Sequence, residues 1–119
     1  MPWNAEQNAT QLVSITTEQF FDKKPILNPG ETCQVEIDCD FPGSPTDNLV
    51  VSVYATLDGS NFDIVPLFSQ EIDNGDDPSR ITLTLSGIYG FRIGVSRSGT
   101  TDTITSADMS YKTDGINVA

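Results

Sequence analysis

The chain has 119 residues, 37% of them hydrophobic, which is the size and apolar content of one domain with its own core. Seventeen acidic residues face six basic ones, so the net charge of −11 disfavours nucleic acids and anionic membranes as partners. No apolar run approaches the roughly 20 residues that span a bilayer, and the first residues lack a signal-peptide pattern, so we expect a soluble chain made in a cytoplasm.

Residues 1–24 differ from the rest, because Trp3, Phe20 and Phe21 stand among polar residues with weak periodicity. Two interpretations are open: an N-terminal arm that packs on a neighbouring molecule, or a first strand with a frayed terminus. A weak strand pattern covers residues 10–16. Residues 25–119 are predicted to form the domain itself.

The stretch TCQVEIDC, residues 32–39, alternates between apolar and polar side chains, which predicts a half-buried strand. Cys33 and Cys39 share its apolar face with Val35 and Ile37. In a strand the two cysteines lie roughly 20 Å apart, too far for a disulfide. We interpret them as small buried hydrophobes, and the absence of histidine makes zinc an improbable ligand.

The remainder of the chain also has strand character. Alternation predicts strands over residues 48–57, 80–86 and 89–95, with weaker candidates at 62–68 and 101–111. Turn signals separate them, among them Asn28-Pro29-Gly30, Asp58-Gly59, Asn74-Gly75, Ser98-Gly99 and Asp114-Gly115. This spacing predicts an all-β fold: an antiparallel β-sandwich of jelly-roll or Ig-like type with about seven to eight strands.

The stretch YATLDGSNFDIVPL, residues 54–67, poses a choice between a ligand site and a simple turn. Asp58-Gly59 supplies the positive φ that a tight hairpin requires, so we interpret the stretch as a hairpin tip without a ligand. Tyr54 has the opposite parity to Val53 and Ala55. It is predicted on the outer face, where it could stack on a ligand or on another subunit.

Catalytic chemistry finds little support in the sequence. Without histidine there is no Ser-His or Cys-His pair, and we expect no enzymatic activity and no cofactor. The loop that contains Asp73, Asp76 and Asp77 offers oxygen ligands for calcium, but it lacks the EF-hand pattern. These three residues are weak calcium candidates, and a solvated acidic loop is the favoured interpretation.

Two runs, VSVYATLDGSNFDIVPL and SRITLTLSGIYGFRIGVSRSGTTDTITSADMSYKTDGINV, resemble small virion structural proteins of tailed bacteriophages. They are similar in style to capsid decoration (cement) proteins. The resemblance implies a non-enzymatic homotrimer or homodimer on the capsid surface of the virion. It would bind the lattice of the major capsid protein and stabilise the shell. Trp3, Phe20, Phe21 and Tyr54 are the candidate interface residues, because aromatic side chains concentrate interface energy.

Another class of function is also open. A carbohydrate-binding β-sandwich module, or a domain of a phage tail or head fibre, is the alternative, because sugars stack on exposed aromatic rings. A glycan screen followed by thermal unfolding distinguishes the alternatives, since a bound ligand raises the unfolding temperature.

Overall fold

The structure is a computed structural model that describes residues 3–114, and every regular element in that range is a β-strand. The nine strands are β1 (Gln7–Asn8), β2 (Leu12–Ile15), β3 (Gln19–Phe20), β4 (Thr32–Asp40), β5 (Leu49–Thr56), β6 (Phe68–Ile72), β7 (Arg80–Leu85), β8 (Gly90–Arg97) and β9 (Ile104–Asp114). All strand pairs are antiparallel, which confirms the predicted all-β class.

The strands form two sheets whose connectivity is that of a jelly roll. The first sheet has the order β1-β9-β4-β7, with β2 beside β1 along the same edge of β9, and the second has the order β3-β8-β5-β6. The pairs β2·β9, β3·β8, β4·β7 and β5·β6 are nested one inside the next, as in a long hairpin that has been rolled up. In an Ig fold the last strand would pair with the preceding one, so the Ig-like alternative does not apply.

The core lies between the sheets and is supplied by alternate residues of the long strands. On β4 the side chains of Cys33, Val35 and Ile37 are fully buried, as their spacing predicted. Cys39 is half-buried at the rim of the same core, and both thiols are free. Burial raises the pKa of each thiol to about 12, so both cysteines remain protonated and act as apolar packing groups.

One predicted strand is wrong. Residues 62–68 do not form a strand: Phe62 makes a single bridge to Thr56, and β6 begins only at Phe68. The N–H of Asp63 donates to the carbonyl of Ala55, and the next hydrogen bond to β5 is from the N–H of Leu67 to the carbonyl of Val53. The chain therefore bulges between Asp63 and Leu67. A proline at position 66 has no N–H to continue the ladder. The other predicted strands are present with ends shifted by a few residues.

The first residues of the described chain pack on its own sheets. β1 and β2 pair with β9, and β3 pairs with β8, so residues 7–20 contribute to both layers of the sandwich. Trp3 makes one bridge, to Asp114. Gly115 of the predicted Asp114-Gly115 turn, and the rest of the chain to residue 119, lie outside the described residues.

Two aspartates clasp the loops that precede β5 and β9. Asp47 is buried and accepts hydrogen bonds from the N–H groups of Thr101 and Asp102, at 3.0 and 2.9 Å. Asp102 accepts in return from the N–H groups of Asp47 and Thr46, at 2.8 and 2.6 Å. These donors stabilise the charged carboxylate and lower the pKa of Asp102. The clasp therefore joins the two sheets at this end of the sandwich.

Replacing Asp47 with alanine is expected to lower the free energy of unfolding by about 1.5–3 kcal/mol, because the N–H groups of Thr101 and Asp102, in part-buried hydrogen bonds, lose a charged acceptor. Urea unfolding measures the difference. Asp40→Ala is the matched control, since Asp40 is exposed and its side chain accepts no hydrogen bond from the described residues. Equal unfolding midpoints for the two variants would contradict a structural role for the clasp.

Candidate functional site

An exposed apolar surface follows β5. Five of the nine large apolar side chains that are exposed in the described part of the chain lie within residues 57–68, which we call the 57–68 segment. They are Leu57, Ile64, Val65, Leu67 and Phe68. The exposed fraction reaches 91% for Leu57 and 94% for Ile64. Clustered apolar surface of this kind marks interaction sites, so this segment is the candidate functional site.

A network of hydrogen bonds fixes the turn at the start of the 57–68 segment. Asp58 Oδ1 accepts from the N–H groups of Ser60 and Asn61, both at 2.8 Å, and Asp58 Oδ2 accepts from the amide of Asn61 at 2.8 Å. Gly59 has a φ of 80°, as the Asp-Gly signal predicted. The hydroxyl of Thr56 accepts from the Gly59 N–H at 3.0 Å. The Asp58 carboxylate is thus engaged by the turn itself.

The apolar residues after this turn are held away from the sheet by a bulge. The N–H of Asp63 donates to the carbonyl of Ala55 at 3.0 Å, and the N–H of Leu67 donates to the carbonyl of Val53 at 2.6 Å. Between these two anchors, Ile64 and Val65 project into solvent. Both ends of the bulge are hydrogen-bonded to β5, so its side chains are presented on a fixed backbone.

The turn makes this region sensitive to acid. The backbone N–H and the side-chain amide of Asn61, together with the backbone N–H of Ser60, hold the pKa of Asp58 below its usual 3.8. A carboxyl whose folded pKa is lowered stabilises the fold fully above its unfolded pKa, and that stabilisation is lost as the pH falls through the folded value. Asp22 and Asp102 also have lowered pKa values, for the same kind of reason.

We expect the urea midpoint to fall as the pH is lowered from about 5 to about 2, and to fall less for Asp58→Asn, which has no carboxylate to protonate. At neutral pH the Asp58→Asn variant should be the less stable protein. The matched control is Asp63→Asn, because the exposed side chain of Asp63 accepts no hydrogen bond from the described residues. Parallel pH profiles for wild type and Asp58→Asn would contradict this account.

A groove lies next to the 57–68 segment. Ile26 bridges Gly90, and its Cδ1 atom would lie 3.3 Å from a Cβ built on Gly59, so Ile26 connects the turn with the groove. The groove has a volume of about 440 Å³ and is lined by residues 26–31 and 87–89. Tyr89 is 46% exposed in its wall. The apolar surface therefore continues from the turn onto the adjacent end of the sandwich.

A cluster of aromatic and basic side chains covers the outer face of the second sheet. Tyr54 and Arg92 are cross-strand neighbours, and the ring of Phe20 crosses Gly94 to meet Tyr54 edge-on at 5.5 Å. A Cβ on Gly94 would lie 2.9 Å from Phe20, so only glycine allows this approach. The guanidinium carbon of Arg92 lies 3.9, 4.9 and 5.8 Å from the centroids of Phe20, Phe62 and Tyr54, respectively.

The four predicted interface residues differ in how far their side chains are exposed to solvent. Tyr54 faces outward, as its parity predicted, but the cluster covers it to 8% exposure and its hydroxyl donates to Glu18 at 2.7 Å. Phe21 is 1% exposed in the core. Neither side chain is available to a partner, which corrects the prediction that they anchor an interface. Phe20 is half-buried against Arg92, and Trp3 remains 41% exposed.

The three calcium candidates differ in the contacts that their carboxylates make. Asp73 Oδ1 accepts from the N–H of Gly75 at 2.9 Å, and Asp76 Oδ2 accepts from the N–H of Asp73 at 3.1 Å. Asp77 is exposed. Within residues 3–114, no group of three or more acidic, cysteine or histidine residues is arranged to hold a metal ion. The first two aspartates shape their own turn.

Neither a protein-family model nor a curated protein matches this chain. No helix in the described range is long and apolar enough to cross a membrane. What the site can do must therefore be inferred from its geometry: a fixed apolar turn and bulge, a neighbouring groove, and two cations on aromatic rings.

Sequence reasoning missed the 57–68 segment as a site. The run DIVPLF is mostly apolar and lies within the weaker strand candidate over residues 62–68. Pro66 was the available signal against a central strand, because proline is confined to sheet edges and bulges. The exposure of Ile64 and Val65 depends on the bulge between Asp63 and Leu67, whose two hydrogen bonds to β5 are seen only in the folded structure.

Proposed function

We propose that this chain is a non-enzymatic structural protein that binds a protein lattice through the 57–68 segment. In its specific form, the proposal is a bacteriophage capsid decoration (cement) protein that lies on the outer surface of the shell and stabilises it. The observation that carries the proposal is the cluster of exposed apolar side chains on a hydrogen-bonded turn and bulge.

The energetics of the segment support binding. Full burial of an exposed Leu, Ile or Val side chain is favourable by about 1.5–3 kcal/mol. The backbone is already fixed by the Asp58 turn and by the bonds to Ala55 and Val53. Less conformational entropy is then lost on association, and more of the burial appears as affinity.

The charge of the chain is compatible with a place on the outside of a shell. With seventeen acidic and six basic residues, it is repelled by packaged nucleic acid and is complementary to a basic or less acidic protein face. Jelly rolls serve both viral capsid proteins and lectins, so the 57–68 segment, and not the fold, supports this proposal. Repeated copies on a symmetric shell favour a closed homodimer or homotrimer.

A second candidate function is carbohydrate binding, as a separate module or on a tail or head fibre. The observation that favours it is the groove of about 440 Å³ with Tyr89 exposed in its wall. An exposed aromatic ring beside a groove is suited to stacking on a sugar. The candidate interface and this groove are adjacent, so the two functions are distinguished by the ligand and not by the location.

Binding to capsid shells tests the proposal. The purified full-length chain is mixed with shells assembled from the major capsid protein of the phage that encodes it, and the pellet is analysed after sedimentation. Saturation at a fixed ratio of chain to capsid subunit supports the decoration role. Light scattering measures the mass of the free chain and so tests whether it forms the proposed homodimer or homotrimer. A chain that stays in the supernatant and gains thermal stability from a glycan would instead support carbohydrate binding.

A further inference from the structure

We infer that Arg92 and Lys24, held against the rings of Phe20 and Phe62, form a receiving site for a carboxylate of the binding partner. The inference rests on the proposed binding role of the 57–68 segment and deepens it, because Phe62 belongs to that segment. The partner group is an aspartate or glutamate side chain of the lattice subunit. It lies next to the apolar residues of that subunit that cover Ile64 and Val65.

Neither cation of this site forms an ion pair within the part of the chain that the structure describes. Arg80 pairs with Asp38 and Glu36 on the other sheet, at 2.7 and 3.7 Å. Within residues 3–114, neither Arg92 nor Lys24 has a carboxylate oxygen within 4.0 Å. The carboxylate of Glu18 belongs to the same cluster, where it accepts from the hydroxyl of Tyr54 at 2.7 Å, and within residues 3–114 it forms no ion pair with either cation. Two cations without an ion pair are complementary to a carboxylate of a partner.

Aromatic rings hold the Arg92 side chain in place, and its guanidinium donates no hydrogen bond to the residues that the structure describes. Its guanidinium carbon lies 3.9 Å from the centroid of Phe20 and 4.9 Å from that of Phe62. Its Nε atom is buried and finds no acceptor among the described residues. Because this atom is buried, the Nη nitrogens at the end of the guanidinium are the donors that a carboxylate of the partner can reach, and the Nε–H reports on that contact. An arginine fixed on aromatic rings presents a planar fork that fits a carboxylate.

Phe62 places this site beside the apolar segment. It bridges Thr56 at the base of the turn, and the ammonium nitrogen of Lys24 lies 6.0 Å from its ring centroid. The two cations therefore flank the same ring. A partner that buries Ile64 and Val65 brings its neighbouring residues close to this ring and to its two cations. The apolar contacts supply affinity, and the ion pair fixes the orientation.

An NMR titration of the full-length, ¹⁵N-labelled chain tests the site. The probe is 3-phenylpropionate, a carboxylate with an apolar tail, and its neutral amide is the matched control ligand. We expect a saturable shift of the Arg92 Nε–H resonance with the acid, and binding of the amide roughly fivefold or more weaker. Lys24→Gln should weaken the acid several-fold, and Arg80→Gln should leave it unchanged. No saturable shift at Arg92, or equal shifts at Arg80 and Arg97, would overturn the inference.

Sedimentation with capsid shells separates this inference from the proposed function. Arg92→Lys keeps the charge but loses the planar fork, and its unfolding midpoint reports whether the cluster is intact. A folded Arg92→Lys variant that binds shells several-fold more weakly than wild type supports the site. Unchanged shell binding by this variant and by Lys24→Gln overturns the site alone. Carboxylate binding at Arg92 by a chain that ignores shells overturns the proposed function instead.

Discussion

Replacing Ile64 and Val65 together with glutamate is expected to abolish binding to capsid shells and to leave the fold intact. Both side chains are exposed, at 94% and 75%, so their replacement costs little stability and should change the free energy of unfolding by less than about 0.5 kcal/mol for each. Two charges placed in an apolar contact should weaken binding about 100-fold or more, which corresponds to about 2.7 kcal/mol. Sedimentation with shells measures the loss.

A matched control is available on the other sheet. Val13 in β2 is 53% exposed and lies outside the 57–68 segment, so Val13→Glu introduces a charge at an exposed apolar position without touching the candidate site. This variant should bind shells as wild type does. If Ile64→Glu with Val65→Glu binds normally, or if Val13→Glu loses binding to the same extent, the 57–68 segment is not the interface.

Truncating Phe21 to alanine is expected to lower the free energy of unfolding by about 3–5 kcal/mol, because the ring is 1% exposed in the core and its loss leaves a cavity. Trp3→Ala is the control: Trp3 is also aromatic, but it is 41% exposed, and its truncation should cost much less. Urea unfolding of both variants measures the contrast. A similar loss in the two would contradict the placement of Phe21.

The placement of Phe21 also determines how a role for the first residues can be tested. Deleting residues 1–24 removes β1, β2 and β3 together with the buried side chains of Ile15 and Phe21. We expect such a deletion to unfold the chain, so a loss of oligomers would not identify an arm. Substitution of Trp3 alone tests a contact to a neighbouring molecule without opening the core.

The long strands could be predicted from the sequence because one face of each strand packs on the core and the other is more exposed to solvent. In β4 and β7 nearly every second residue is buried or half-buried toward the core, and this alternation is visible in the letters. β6 was missed because its residues, Phe68 to Glu71, are all exposed at a sheet edge, so no burial pattern marks them. The more apolar run that precedes it carries the prediction of a strand over residues 62–68.

The candidate site was less predictable, because it depends on contacts between residues far apart in the chain. Phe20 and Phe21 are adjacent, and on a strand one must point inward and the other outward, but the sequence does not say which. Tyr54 was correctly predicted on the outer face. Its burial comes from Phe20 and Arg92, which lie more than thirty positions away on either side and are brought together only by the sheet.

The position of β9 has a consequence for how the protein is made. β9 lies between β4 and the β1–β2 edge, and its residues Ile104 to Asp114 are the last of the described strands to leave the ribosome. A nascent chain that ends after β8 holds all four strands of the second sheet, while β4 lacks its main neighbour and the core lacks Ile104, Ala107 and Met109 of β9. Closing β2 against β9 joins residues about ninety positions apart, and topologies of such high contact order fold in milliseconds to seconds. The sandwich therefore closes only after β9 has been synthesised, and until then the unpaired edge of β4 is a surface of the kind that favours aggregation.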